Sequence, residues 1–284
     1  MALPLTVIFL FSALPALAGI GLSFFELSNA STLRFVGLAN YRAALAEDPM
    51  LRAAIRNSLV FALGSVPVSV FGGFLLAVAL NARWFRGRTL CRTLVFLPTV
   101  VSIVAIGYLW TWVLDAQSGL LNTALDVTGL SGLLFRGGPP MWLGDSPLAL
   151  GALMGIHVWR TLGFGVVLYL AALSSVPRSQ YEAIMLDGAT PWQATWHVTW
   201  PAVRPMTAFL LITGVIGALQ VFDLVFIMTG GAGRWTTVLN VQLYAEFTNN
   251  RLGYAAAIGV IVLLLSAVVT VLQFRWFRRR GATS

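Results

Sequence analysis

The chain has 284 residues, of which 58% are hydrophobic and 10% are charged, and its mean hydropathy is +0.84. In a soluble domain about a quarter of the residues are charged. The composition therefore excludes a water-soluble globule and indicates a protein whose main solvent is lipid. The net charge is +8 and all 18 Lys-plus-Arg residues are arginine, which excludes the lysine of a GK[ST] phosphate-binding loop and that of a Schiff-base enzyme.

Six stretches are apolar over the roughly 20 residues that a helix needs to cross the hydrocarbon core. In lipid the backbone must satisfy its own hydrogen bonds, which leaves only helices and closed barrels. The stretches are continuously apolar rather than alternating, so they favour helices. The sequence therefore predicts an all-α membrane protein with six transmembrane helices, at approximately Leu3–Phe25, Ser58–Leu80, Leu94–Trp112, Leu148–Leu170, Met206–Met228 and Tyr254–Phe274.

The first stretch can also be interpreted as a cleaved secretory signal, because Ala16 and Ala18 have the spacing of a cleavage site. We favour a retained span, since no basic residue precedes the run and the run continues to Phe25. The following segment, Asn40–Asn57, has the periodicity of an amphipathic surface helix. Its apolar face carries Tyr41, Leu45, Leu51 and Ile55.

Arginines cluster in two connections on the side of the membrane that holds the N-terminus: Arg83, Arg86, Arg88 and Arg92 after the second span, and Arg275, Arg278, Arg279 and Arg280 after the last. Arginine is retained in the cytoplasm, so both termini are predicted to be cytoplasmic. The long connection Asp115–Pro147, with Arg136 alone in its interior, is then external. Four arginines between the first two spans argue against this orientation: Arg34, Arg42, Arg52 and Arg56. No basic stripe interleaves with aromatic residues, which argues against a nucleic-acid surface.

A few polar side chains fall inside the predicted third, fourth and fifth spans. Ionisable groups at membrane depth are costly unless they are paired or hydrated, so they indicate function by default. One interpretation is a hydrated solute path. The other, which we favour for the charged groups, is that Arg160 and Asp223 close helix ends or pair structurally, with the tryptophans as interface anchors. The candidate path residues are Trp110, Trp159, Arg160, Gln220 and Asp223.

The connection between the fourth and fifth spans, Ser174–Pro205, predicts two short helices joined at a glycine. The first is Tyr181–Leu186, and Gly188 then lets the chain turn. Pro191 suits the first position of a second helix, which Pro201 and Pro205 end before the fifth span. Its Trp192, Trp196 and Trp200 would be exposed on the membrane surface, which is costly without a partner. The loop is therefore either a knob that docks on a protein partner or an interfacial loop with a tryptophan belt, and these residues alone leave both interpretations open.

Tyr181-Glu182-Ala183 and Asp187-Gly188-Ala189 are followed, thirteen residues beyond Gly188, by Pro201. This pattern resembles the EAA loop of binding-protein-dependent ABC importer permeases, with departures at Ile184, Val198 and Trp200. Further segments resemble the carbohydrate-uptake branch of that family (maltose-, lactose- and glycerol-phosphate-type) in the same order along nearly the whole chain. They are Phe35–Tyr41, Arg92–Pro98, Gly119–Asn122, Phe222–Leu224 leading to Thr229–Gly231, and Gly253–Ala257.

The resemblance implies a MetI-like permease core at residues 58–284, preceded by a first transmembrane helix and external amphipathic segment at residues 1–57. It implies that residues 174–205 form a cytoplasmic loop that couples to a separate ATPase. The coupling residues would be Glu182, Ala183, Asp187, Gly188, Ala189 and Pro201.

The same resemblance implies a permease subunit of an ATP-driven importer in a prokaryotic inner membrane, which translocates a sugar or sugar-like solute by alternating access. Its implied partners are a second permease subunit, two ATPase subunits that bind ATP and Mg, and an extracytoplasmic solute-binding protein.

Two other functions are weighed against this one. An ion-coupled secondary transporter would use Asp223 or Arg160 as its coupling group. A membrane-embedded enzyme would need converging His, Asp or Glu residues, whereas the ten acidic residues are scattered. Cys91 is the only cysteine, and His157 and His197 lie in different segments. We therefore expect no metal, no cofactor and no catalytic residue in this chain.

Overall fold

The computed structural model describes residues 2–28, 32–82, 87–135, 140–144, 146–231 and 233–281. The predicted arginine positions Arg83, Arg86 and Arg136, and the side chains of Arg279 and Arg280, lie outside the described part. The helices are α1 Ala2–Ile8, α2 Leu14–Leu22, α3 Ala39–Arg42, α4 Pro49–Asn81, α5 Arg88–Val100, α6 Ile103–Val113, α7 Leu120–Val127, α8 Leu130–Leu134, α9 Pro147–Ser174, α10 Arg178–Leu186, α11 Pro191–Ala194, α12 Trp200–Leu219, α13 Asp223–Thr229, α14 Leu239–Thr248 and α15 Leu252–Gly281. The described residues also contain three π-helical segments, Phe9–Ala13, Ala43–Glu47 and Thr195–Thr199, and two strands, β1 Phe25–Ser28 and β2 Thr32–Phe35.

Five of the six predicted spans correspond to long apolar helices in the described part of the chain, and the third corresponds to a bent pair of helices. The fifth ends at Leu219 and not at the predicted Met228, because α12 stops there and a separate helix, α13, begins at Asp223. The all-α membrane fold is therefore confirmed. The straight stretches are Pro4–Leu22, Pro49–Asn81, Pro147–Ser174, Pro191–Leu219 and Leu252–Arg278, and the bent pair is α5 with α6.

The third predicted span, Leu94–Trp112, is not one straight helix, because α5 and α6 meet at 99°. Pro98 near the end of α5 has no N–H, which leaves the carbonyl of Leu94 without its intrahelical donor. The Oγ1 of Thr99 donates a hydrogen bond to the carbonyl of Arg160, over 3.0 Å, and so ties the end of α5 to α9. The chain then turns at Val101 and Ser102, and α6 packs on α13 instead of continuing along α9.

The predicted surface helix Asn40–Asn57 is wrong in its extent. It consists of α3 and a π-helical turn that ends at Asp48, after which α4 runs without interruption from Pro49. Asp48 is the N-cap of α4, since its Oδ1 accepts hydrogen bonds from the backbone N–H groups of Met50 and Leu51 over 2.8 and 3.0 Å. Pro49 occupies the first helical position, where its missing N–H costs nothing. The expected boundary between residues 57 and 58 therefore falls inside α4.

A small antiparallel hairpin, which the sequence pattern did not predict, follows the first span. β1 pairs with β2 in a register that sets Phe25 opposite Phe35, and the two rings lie 5.3 Å apart. Cross-strand aromatic contacts of this kind stabilise short hairpins. The hairpin connects the first span to α3.

The core forms where α4 packs against α9 and α12. Phe61 and Phe74 of α4 and Tyr169 of α9 are fully buried there. Gly73 allows the helices to approach closely, since a Cβ at that position would contact the backbone of α9 at 3.5 Å. The first span lies at the periphery with its apolar side chains exposed, as suits a helix whose neighbours are lipid.

Candidate functional site

The first helix of the loop, α10, is ended by a glycine in the left-handed conformation. Gly188 has φ +80°. Its N–H donates to the carbonyl of Met185 over 3.1 Å, and the N–H of Ala189 donates to the carbonyl of Ile184 over 3.2 Å. This pair of hydrogen bonds is a Schellman motif, which satisfies carbonyls at the end of a helix. The predicted break at Gly188 is confirmed, while α10 begins at Arg178, three residues before the predicted Tyr181.

The second helix begins at Pro191, as predicted, and a capping box fixes its start. The N–H of Gln193 donates to the Oγ1 of Thr190 over 3.3 Å, and the N–H of Thr190 donates to the Oε1 of Gln193 over 2.7 Å. Two N–H groups that a helix start leaves unpaired are thereby satisfied. The spacing Thr-x-x-Gln is a local signal of this helix start that the sequence itself contains.

Pro201 and Pro205 do not end this helix, contrary to the sequence prediction. The chain passes from α11 through a π-helical turn into α12 as one helical stretch, Pro191–Leu219. The N–H of Trp200 donates to the carbonyl of Thr195, five residues back. The wider π turn changes the hydrogen-bond pattern just before Pro201, so a residue without an N–H is accommodated. The second half of the loop is therefore continuous with the fifth span.

A shallow groove of about 630 Å³ lies between α10 and the start of this long helix. The phenol of Tyr181 and the hydroxyl of Thr199 are hydrogen-bonded over 3.0 Å and hold the two elements together. Glu182 is exposed on α10, and Gly188 and Ala189 form the turn. The groove is lined by Gln180, Ala183, Ile184, Asp187, His197, Val198, Pro201 and Ala202.

The tryptophans of the loop form a separate column. Trp192, Trp196 and Trp200 stack edge-on at 5.5 and 5.8 Å, and Trp200 lies 5.2 Å from the ring of Phe74 in α4. None of the three lines the groove. Their exposure is 61% for Trp192 and 41% for Trp196, and Trp200 is half-buried. The groove and the tryptophan column are thus different surfaces of the loop.

Two of the five candidate path residues are in contact, and a third is their neighbour in the sequence. The rings of Trp110 in α6 and Trp159 in α9 are in edge contact at 5.6 Å, and Arg160 is the next residue of α9. The Nε1 of Trp110 and the Nε of Arg160 are buried and have no hydrogen-bond partner within the described residues. Buried donors of this kind are costly and require an acceptor.

The other two path residues lie at the break between α12 and α13. Gln220 caps α12, and its carbonyl accepts a hydrogen bond from the Nδ2 of Asn240 over 2.7 Å. Asp223 is the first residue of α13, where the helix dipole favours a carboxylate. Arg160 and Asp223 form no ion pair with each other. Among the described residues, ion pairs join Arg42 to Glu47 and Arg251 to Glu246, and no cluster of potential metal ligands occurs.

Comparison with known proteins places the fold and the sequence in one group. Residues 49–281 match the family described as "Binding-protein-dependent transport system inner membrane component". The chain is 33% identical over 279 residues to the probable ABC transporter permease protein YurN of Bacillus subtilis (strain 168), which covers 97% of this chain and 94% of that protein. It is 32% identical to the lactose transport system permease protein LacF of Rhizobium radiobacter, and the match covers 97% of this chain and 92% of that protein.

A crystal structure of a bacterial ABC transporter involved in the import of the acidic polysaccharide alginate contains a chain of the same fold. The TM-score is 0.84 and the sequence identity 25%, over 98% of this chain and 94% of that one.

Proposed function

The chain belongs to the family of binding-protein-dependent inner-membrane transport components and is a permease subunit of an ABC importer, and from this premise we propose that it imports a sugar or sugar-like solute by alternating access. The lactose permease and the alginate importer, both similar over more than nine tenths of this chain, support this class of solute. The ion-coupled secondary transporter is not favoured.

The observation that carries the coupling role is the continuity of the loop with a span. A partner seated in the groove would contact Ala183, Asp187 and Pro201. The helix that forms one wall of the groove continues into the membrane as the fifth span. Movement of this wall of the groove is therefore transmitted into the bilayer along one helical stretch. We assign the contact surface to Glu182, Ala183, Asp187, Gly188, Ala189 and Pro201, with ATP and Mg bound by two separate ATPase subunits.

The remaining assignments follow from this one. The loop and both termini face the cytoplasm. An extracytoplasmic solute-binding protein delivers the solute at the opposite end of the helix bundle. A second permease subunit supplies the other half of the solute path. We propose that Trp110, Trp159, Arg160, Gln220 and Asp223 line this chain's part of the path, in place of the structural role first favoured for the two charged residues. The buried and unpartnered Nε1 of Trp110 and Nε of Arg160 support this assignment. The permease domain begins with α4 at Pro49 and not at residue 58, and the residues before it hold the first span and an external segment.

The test is transport by the complete assembly in proteoliposomes. We expect uptake of a labelled oligosaccharide to require ATP and the solute-binding protein, and to be absent when an ion gradient is supplied without the ATPase subunits. Leu186 is 88% exposed at the end of α10. In a Cys91→Ala background, Leu186→Cys should therefore crosslink to an ATPase subunit. Uptake driven by an ion gradient alone, or a crosslink formed only with the solute-binding protein, would overturn the proposal.

A further inference from the structure

Two segments that mark the family resemblance, Phe35–Tyr41 and Gly253–Ala257, have no part in the coupling site. The fold brings them together at the start of α15. Phe74, near the end of α4, contacts the tryptophans of the coupling loop, whereas the beginning of α4 lies beside these segments. They therefore meet at the end of the helix bundle opposite the coupling loop.

The first span is bound to α15 through its last turn and the hairpin. The Nδ2 of Asn40 donates to the carbonyls of Ser23 and Phe25 over 2.9 and 3.0 Å, and the hydroxyls of Ser23 and Tyr41 are 2.6 Å apart. Gly253 of α15 lies directly against the start of β1, since a Cβ there would be 1.8 Å from the carbonyl oxygen of Phe25. The backbones are therefore in contact, and any larger residue would separate them.

The next residue joins α15 to α4. The phenol of Tyr254 donates to the Oδ2 of Asp48 over 2.7 Å, and the other carboxylate oxygen of Asp48 caps α4. The guanidinium of Arg251 lies 4.4 Å from the centre of the Tyr254 ring and donates to the Oε2 of Glu246 in α14 over 2.9 Å. Glu246 is buried, and its other oxygen accepts from the Nε2 of Gln242 over 3.1 Å.

We propose that these contacts form a latch that keeps the first span, α4, α14 and α15 together as one rigid unit at this end of the bundle throughout the transport cycle. The latch is defined by Ser23, Asn40, Asp48, Glu246, Gly253 and Tyr254. Opening it would break the hydrogen bond from the phenol of Tyr254 to the carboxylate of Asp48, which joins α15 to α4, and would separate the closely packed backbones of Gly253 and Phe25. A partly buried carboxylate that loses its donor is disfavoured. Solute access at this end therefore opens along other contacts. The inference rests on the proposed alternating-access function.

The experiment measures a distance across the latch by pulsed electron–electron double resonance. Spin labels are attached at Glu47→Cys and Asn249→Cys in a Cys91→Ala background, in the assembled transporter, at rest and trapped with ATP and vanadate. We expect the same narrow distance distribution in both states. A shift of about 5.4 Å, one helical turn, would overturn the latch. A second pair, Leu90→Cys with Leu186→Cys near the coupling loop, reports whether trapping moves the protein.

A second measurement needs no ATP. Gly253→Ala should broaden the Glu47–Asn249 distribution at rest, whereas Gly259→Ala in the same helix, whose Cβ would meet only a flexible Leu243 methyl at 3.4 Å, should leave it narrow. Equal distributions in the two variants would contradict the latch. If the distance between Leu90→Cys and Leu186→Cys does not change on trapping, and the assembled transporter hydrolyses no ATP, the proposed function is contradicted and not the latch. The comparison of Gly253→Ala with Gly259→Ala still tests the latch in that case.

Discussion

Gly188 is needed for the backbone conformation of the coupling loop, not for the space around it. Its φ is +80°, and a Cβ at this position would meet no atom within 4 Å. Gly188→Ile should therefore raise the energy of the turn by about 2 kcal/mol, because a β-branched residue is strained in the left-handed region. We expect solute uptake to be lost while the protein still inserts. Uptake in proteoliposomes and membrane yield measure the two properties.

The matched control for this variant is Gly188→Asn, because asparagine tolerates the left-handed conformation. It should retain most of the uptake. Normal uptake by the isoleucine variant would contradict the role that we assign to the turn.

Gly163 presents the opposite case, since here space is the requirement. A Cβ on Gly163 in α9 would lie 2.2 Å from the carbonyl oxygen of Val95 in α5, so the helices would have to separate. Gly163→Ala should cost about 1–3 kcal/mol through overpacking and lower the melting temperature of the solubilised protein. Gly155→Ala in the same helix meets nothing within 4 Å and should be neutral or stabilising. Equal melting temperatures would show that α5 does not pack on α9 in this way.

These two glycines also show what a sequence can and cannot predict at single positions. Gly188 follows a helix-forming run and precedes Pro191, so local chemistry predicts the turn. Asp48-Pro49 and Thr190-x-x-Gln193 are equally local signals, and each predicts the start of a helix. The requirement at Gly163 depends on a crossing with α5, which is distant in the chain, and no local pattern contains it.

At the scale of elements, hydropathy predicts which stretches enter the membrane but not where a helix breaks within it. The bend between α5 and α6 and the end of α12 at Leu219 lie inside the apolar stretches Leu94–Trp112 and Met206–Met228, each of which the sequence predicts as a single span. Proline is likewise ambiguous, because Pro98 lies close to a bend whereas Pro205 lies inside a helix that continues. The difference is tertiary, since the end of α5 is tied to α9 by Thr99.

The capping box of α11 gives a prediction at this scale. Thr190→Ala removes the side-chain acceptor for the N–H of Gln193 and should cost about 1 kcal/mol at the start of the helix that continues into the fifth span. We expect fewer solute molecules transported per ATP hydrolysed, because the first turn of the coupling element frays. Thr128→Ala, at an exposed helix end in α7–α8, is the control. An unchanged transport-to-hydrolysis ratio would show that the cap has no part in coupling.

At the scale of the whole molecule, the two ends of the bundle are built differently. The coupling end presents an open groove beside a helix that continues across the membrane. The opposite end is joined by hydrogen bonds between residues that are far apart in sequence, such as Asp48 and Tyr254, separated by 206 positions. Composition predicted the membrane environment, and the family resemblance predicted the importer. Neither identified this asymmetry, which depends on contacts that only the folded chain brings together.

The contact between Asp48 and Tyr254 should stabilise the whole chain. Tyr254→Phe keeps the ring on which the Arg251 guanidinium lies and removes only the hydroxyl that donates to the carboxylate. A hydrogen bond to a charged group contributes about 1.5 kcal/mol at the low end, which corresponds to a fall in melting temperature of about 3–6 °C for a chain of this size. Tyr108→Phe, at an exposed position in α6, should leave the melting temperature unchanged. A fall of the same size in both variants would mean that the effect belongs to the loss of any phenol and not to this contact. A fall only in Tyr254→Phe, abolished when Asp48→Ala is already present, would show that the two residues act as a pair.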